Sequence, residues 1–110
     1  MKRTAAIFIE DILLAITKIK KYTKNVSKEE FMFNTLLIDA VIRNLEIIGE
    51  AARNISKKEE DNFPGVPWHE LRGMRNILIH EYFGIDEEIL WEVVSADLDN
   101  VYGILKKNSK

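Results

Sequence analysis

The sequence of 110 residues has no cysteine, two prolines, five glycines and two histidines. Without cysteine there is no disulfide scaffold, no Cys-ligated zinc site and no thiol nucleophile. That composition suits a reducing compartment, and a cytoplasmic protein is expected. The shortage of glycine and proline excludes a collagen-like chain or a flexible linker. His69 and His80 are too few for a multi-histidine metal site in one chain. No His/Asp/Glu set has a convincing ligand spacing either, so neither a metal nor a cofactor is expected. Positive charge is not in excess: sixteen Lys and Arg against eighteen Asp and Glu leave a net charge of −2. The overall charge therefore does not advertise nucleic-acid binding. Long apolar runs are missing too, since none reaches the ~18 residues of a spanning helix, and no membrane partner is expected. The start, MKRTAAIFIEDILLAI, begins like a signal peptide. Glu10 and Asp11 interrupt the apolar stretch and no small-residue cleavage site follows, so it reads as an amphipathic helix.

What is present is a globular composition, 46% hydrophobic and 31% charged. The length fits one domain, 1–110, with 106–110 as a frayed tail. Ala5, Ile9, Ile12, Ile16 and Ile19 recur at helical steps and predict a first helix ending near Lys24 and Asn25. Ser27 and Glu30 have capping-box spacing and predict a short turn of helix. A longer helix is expected from about Asn34 to Ile55. Its apolar residues form two adjoining stripes, Leu37, Val41, Ile48, Ala51 and Ile55 beside Ile38, Ile42, Leu45 and Ala52. Its charged residues Asp39, Arg43, Glu46, Glu50 and Arg53 share one face. Ser56 to Pro67, with both prolines, reads as the loop. Pro67 suits the first turn of a third helix from Trp68 to about Tyr82 or Phe83, with Gly84 as the stop. Asp86 is expected to cap a fourth helix reaching about Leu105, with Leu90, Val94, Leu98, Val101 and Leu105 buried. There is no period-two alternation and no hairpin signal. The expected fold is all-α, an up-and-down bundle of four to five helices.

The third helix holds a local inconsistency. Trp68, Leu71, Leu78 and Tyr82 make an apolar stripe with Arg75 inside it. Arg72, Asn76, Ile79, His80 and Phe83 make the neighbouring stripe. A buried guanidinium needs partners, and polar residues at apolar positions mark places to look for function. Asn76 and His80 are four apart and can touch. Arg75 and His80 are five apart, so they diverge by about 140° around the axis. They converge on one ligand only at the edge between them, or with a second copy of the chain supplying the other half. On spacing alone a structural network is the commoner explanation. Glu46 or Glu50 could pair with Arg75, and His80 could be a satisfied core histidine. His69, in the first turn, is expected to be exposed and is given no role.

The string Arg75-Asn76-Ile77-Leu78-Ile79-His80-Glu81-Tyr82 matches an R-x4-H-x-Y pattern and resembles the motif of the HepT-like toxins, a branch of the HEPN superfamily. The flanks are similar as well: Arg43-Asn44-Leu45-Glu46-Ile47-Ile48-Gly49-Glu50-Ala51-Ala52, Pro67-Trp68, and Phe83-Gly84-Ile85-Asp86. The resemblance covers about positions 34 to 105. It implies a helical bundle forming a symmetric homodimer, in which the motifs of two protomers share one cleft and cleave RNA without metal. Arg75 and His80 would be catalytic. The partner it implies is a minimal nucleotidyltransferase (MNT) antitoxin of a type VII toxin–antitoxin pair, which transfers AMP onto the motif tyrosine, here Tyr82. The residue types suit the chemistry. The ribose 2′-OH serves as nucleophile, His titrates near neutrality, and Arg offers bidentate donors to a phosphorane. Asn76, Glu46 and Glu50 would support them by hydrogen bonding or by orienting Arg75. The alternative from another class is a non-catalytic helical adaptor that binds nucleotides or a nucleotidyltransferase.

Overall fold

A computed structural model describes residues 4–80 and 87–108, with the side chains of 75–80 and 108 outside that description. The described residues are helical with no strand, and they form a helical bundle. Helix α1, Ala5–Tyr22, buries Ile9, Ile12, Ala15, Ile16 and Ile19, the face its periodicity predicts. It ends sooner than Lys24. The Thr23 hydroxyl donates to the Ile19 carbonyl at 2.8 Å, and Asn25 turns the chain with φ +60°. Asparagine is among the few non-glycine residues that adopt this conformation readily.

The capping box forms as expected at α2, Lys28–Met32. The Glu30 backbone N–H donates to Ser27 Oγ at 3.1 Å, and the Ser27 N–H donates to Glu30 Oε1 at 2.9 Å. The backbone bond first, and the Ser27 hydroxyl second, hold the Glu30 carboxyl below its ordinary 4.5. A carboxylate with a lowered folded value stabilises the fold above the unfolded value, and that contribution disappears as pH falls through the folded one. Glu30→Ala should therefore lower the urea midpoint at neutral pH, and the difference from wild type should shrink as the pH falls through the lowered folded value. A difference that persists unchanged in acid would show that the carboxylate has no such part.

Helix α3, Thr35–Arg53, is capped by Asn34, whose Oδ1 accepts from the Leu37 N–H at 3.0 Å. At the other end Asn54 Nδ2 donates to the Glu50 carbonyl at 2.8 Å. It is the central element, packed along both α1 and α5, Trp68–His80. Val41, Leu45 and Ile48 on α3 are fully buried with Ile12, Ile16 and Ile19 of α1. Each such side chain contributes about 1.5–3 kcal/mol relative to an exposed one.

The expected loop from Ser56 contains an unanticipated helical turn, α4, Lys57–Glu60. Ser56 Oγ accepts from the Glu59 N–H at 3.2 Å and donates to Glu59 Oε1 at 3.1 Å. The Arg72–Glu60 ion pair then ties α4 to α5. Gly65, at φ +97°, occupies a conformation that only glycine adopts without strain, and a Cβ there would press on Ile104 Cδ1 at 3.2 Å. Pro67 precedes α5, its carbonyl accepting from the Leu71 N–H at 3.0 Å.

The fourth predicted helix is present and contains a π-helical turn. It consists of α6, Glu87–Glu92, a π-helical turn, Val93–Asp97, and α7, Leu98–Asn108. Leu90, Val94 and Leu98 are spaced by two successive four-residue steps, which drift around an ordinary helix. A π turn holds more residues per turn, so it keeps these side chains on the buried side. Ser95 Oγ donates to the Trp91 carbonyl at 2.7 Å within this segment, satisfying a group that the altered ladder exposes. Helix α7 continues through Lys106 and Lys107, beyond the expected end at Leu105. The Phe31 and Trp91 rings, 5.1 Å apart and tilted 46°, join α2 to α6. No helix among the described residues is long and apolar enough to cross a membrane. The expected stop at Gly84 and cap at Asp86 lie outside the described residues.

Candidate functional site

The site is built on α5. Its sequence starts apolar on one side only: Trp68 and Leu71 are buried, while His69 and Glu70 are exposed. Phe63 meets Trp68 edge-on at 6.3 Å between ring centroids, and α3 covers this side of the helix. Among the described residues Trp68 Nε1 is buried without a hydrogen-bond partner, and packing holds the indole there. Position 75 stands one turn beyond Leu71 and two beyond Trp68, in register with the buried stripe.

The opposite register is open. His69 is exposed, as expected. Four residues on, Gly73 is half-buried, and a Cβ there would meet nothing within 4 Å. Position 76 is seven residues beyond His69, and position 80 is seven beyond Gly73. Two turns of helix return to nearly the same angle, so positions 69, 73, 76 and 80 share a face. Among the described residues, nothing stands where a Cβ at Gly73 would reach on this face. Hence α5 carries the Arg75 position in register with its packed side, and the Asn76 and His80 positions in register with its open side.

The supporting carboxylates lie on the neighbouring helix. Glu46 is half-buried and Glu50 exposed, both on α3. Helix α3, which carries Glu46 and Glu50, packs against α5, which carries Arg75, Asn76 and His80. Tyr82 lies outside the described residues. One polar residue of α3 was absent from the predicted pattern. Asn44 is buried at 6% exposure, its Nδ2 donating to the Ala40 carbonyl at 3.0 Å. The available signal was its position, three residues past Val41 and four before Ile48, inside the apolar stripe. Arg72 was placed on the motif's stripe, but it is engaged by Glu60. Among the described residues, no three His, Asp or Glu side chains gather as metal ligands.

Comparison with known proteins places these features in context. A family model described as "Ribonuclease HepT-like" matches residues 12–107, a span that contains α3, α5 and the whole R-x4-H-x-Y string. A Methanocaldococcus jannaschii protein named "Putative RNase" is 46% identical, with the alignment covering 91% of this chain and 92% of that one. A Thermococcus cleftensis protein named "Probable ribonuclease HepT" is 41% identical over the full length of both chains. A second M. jannaschii protein, named "Gamma-glutamylcyclotransferase and putative RNase", is 41% identical over 89% of this chain but only 44% of its own length. No solved structure matches.

Proposed function

Because the chain belongs to the HepT-like ribonuclease family of HEPN proteins, we propose that it is a metal-independent RNA-cleaving toxin whose active site is completed by a second copy of itself. The observation that carries this reading is the family match across residues 12–107, which includes Arg75 and His80 on a single helix. Their diverging registers favour a shared site, since each protomer then presents His80 from one side and Arg75 from another.

In this reading two protomers supply two histidines and two arginines. One His80 withdraws the proton from the ribose 2′-OH. The oxygen attacks the adjacent phosphorus, a P–O bond forms, and the bond to the 5′ oxygen breaks. The other His80 protonates the departing 5′ oxygen. Arg75 donates to the phosphorane oxygens, where charge accumulates. Asn76 holds His80 or the phosphate without titrating, and Glu46 and Glu50 orient Arg75. Doubling the motif concentrates positive charge locally, so a net charge of −2 does not oppose phosphate binding. The regulatory partner is an MNT-type nucleotidyltransferase antitoxin of a type VII pair, which silences the enzyme by transferring AMP to Tyr82.

The test is cleavage of RNA by the purified protein with excess chelator present. Cleavage should continue and leave 2′,3′-cyclic phosphate and 5′-hydroxyl ends. Abolition by the chelator, or 3′-hydroxyl and 5′-phosphate ends, would overturn the metal-independent mechanism.

A further inference from the structure

The stretch 18–28, KIKKYTKNVSK, holds five lysines and no acidic residue. It carries +5, so the rest of the chain carries −7 within the total of −2. All five lysines are exposed, and so is Tyr22 among them, at 41%. The α1 macrodipole favours cations in the last turn of the helix, which accounts for Lys20 and Lys21. Lys18 precedes that turn, and Lys24 and Lys28 lie beyond the helix, so the dipole does not account for them. Lys20 pairs with Asp99, and Lys28 with Glu88. Lys18, Lys21 and Lys24 form no ion pair among the described residues. Lys18, Lys21 and Tyr22 fall within about 100° of one another around α1, and Lys24 follows in the turn.

The fold sets this stretch at the same end of the bundle as the motif. Glu59 and Phe63, just past α3, line one groove with Ala5 and Ile9 of α1. So α3 ends where α1 begins, and the two helices run antiparallel. Helix α5 starts at that end too, with Arg72 on Glu60 and Trp68 against Phe63, and returns along α3. Its last turns, positions 75–80, therefore reach the end where α1 finishes and the lysines stand. Helix α3 packs on both α1 and α5. Two interaxial spacings of about 8–10 Å put α1 and α5 roughly 16–20 Å apart. A stacked strand advances ~3.4 Å per nucleotide, so about five or six nucleotides bridge that gap.

We propose that Lys18, Lys21 and Lys24, with Tyr22 among them, form a surface that holds the RNA strand flanking the cut. The inference rests on the ribonuclease reading above and gives the substrate a second foothold, away from the motif. Ammonium groups neutralise successive phosphates without reading sequence. An exposed ring offers any base a face to stack on. The net negative charge of the remaining chain disfavours a phosphate strand elsewhere, so the field guides it to this stretch. An acidic protein would satisfy the lysines equally well, but it would need neither a ring among them nor a place at the motif's end.

Substrate length and salt test the surface. The triple variant Lys18→Gln/Lys21→Gln/Lys24→Gln should raise KM for a single-stranded RNA of about 20 nucleotides by about tenfold or more at low salt, with kcat kept. The slope of log KM against log salt should fall by about 2, since each phosphate contact on a single strand contributes ~0.7. An RNA of about four nucleotides, too short to bridge the gap, should be cleaved alike by both proteins. Lys18→Arg/Lys21→Arg/Lys24→Arg keeps the charge and should behave as wild type. Tyr22→Ala should raise KM about fivefold without altering the salt slope. Lys57→Gln/Lys58→Gln, exposed at the other end of α3, should match wild type. Far-UV circular dichroism confirms that each variant is folded. A folded triple variant with the wild-type KM and salt slope would overturn the surface and leave the lysines to an acidic protein partner. So would an equal loss on the long and the short RNA. If wild type cleaves no RNA, the ribonuclease reading falls by itself. Anisotropy of the same labelled RNA then reads the surface alone, and equal binding by wild type and the triple variant overturns it.

Discussion

His80→Ala should lower RNA cleavage by ~10²–10⁴-fold, the usual value of a positioned general acid or base. The upper end is expected, because in a shared site one substitution removes the acid and the base together. Arg75→Ala should cost about 10²–10³-fold, as the loss of a donor to developing charge does elsewhere. Arg75→Lys should recover part of the loss, because it restores the charge without the planar fork. His69→Ala provides the contrast: it changes the other histidine, exposed on the same helix, and should cleave as wild type does. All four variants must keep wild-type helicity and dimer mass, since Arg75 shares the register of a packed stripe and its loss could act through folding. Undiminished cleavage by a folded His80→Ala or Arg75→Ala protein would remove that residue from the chemistry. Equal losses in His69→Ala and His80→Ala would point to general damage to α5.

The sequence showed most of the helices because their apolar residues repeat at three- and four-residue steps over many turns. The α1 stripe from Ile9 to Ile19 and the α3 stripe from Val41 to Ala52 are buried as their spacing requires, as is Ile55 just beyond α3. Short elements were harder to see. Helix α4 has four residues and none of them is buried, so it has no apolar period to reveal it. Its signal was the Ser56–Glu59 spacing, the same spacing that marks α2 at Ser27 and Glu30. The π turn was also hidden, because Leu90, Val94 and Leu98 fit a helical pattern well enough. Only the repeated four-residue step distinguishes the two. At the site, spacing alone separated the Arg75 and His80 registers. Spacing could not choose between a structural network and a catalytic pair, since both place polar side chains at the same helical positions. The family match shows a HepT-like ribonuclease domain, and the catalytic pair is the reading proposed above. Asn44 was passed over because a single amide within an apolar stripe barely alters its period.

Tyr82 should gain one AMP unit when the chain is produced together with its cognate MNT-type nucleotidyltransferase, and the modified protein should lose RNA cleavage. Electrostatics gives the reason for so large an effect from one group. The tyrosine stands two residues beyond His80, and its phenolic oxygen would attack the α-phosphorus of ATP with pyrophosphate leaving. In the proposed shared site the resulting phosphodiester would bring a negative charge near the arginine and histidine proposed to receive the RNA phosphate. It competes for Arg75 and repels the substrate, while the adenosine occupies space in the cleft. Intact mass of the co-produced protein reads the modification, and RNA cleavage by the same sample reads its consequence. Tyr82→Phe should keep the unmodified mass and cleave RNA whether or not the transferase is present, so cells carrying it lose their protection. A mass gain that persists in Tyr82→Phe would move the modification to another residue. A fully modified protein that still cleaves RNA would separate the modification from control, because an anion fixed at Tyr82 would then lie too far from the shared cleft to exclude a phosphate.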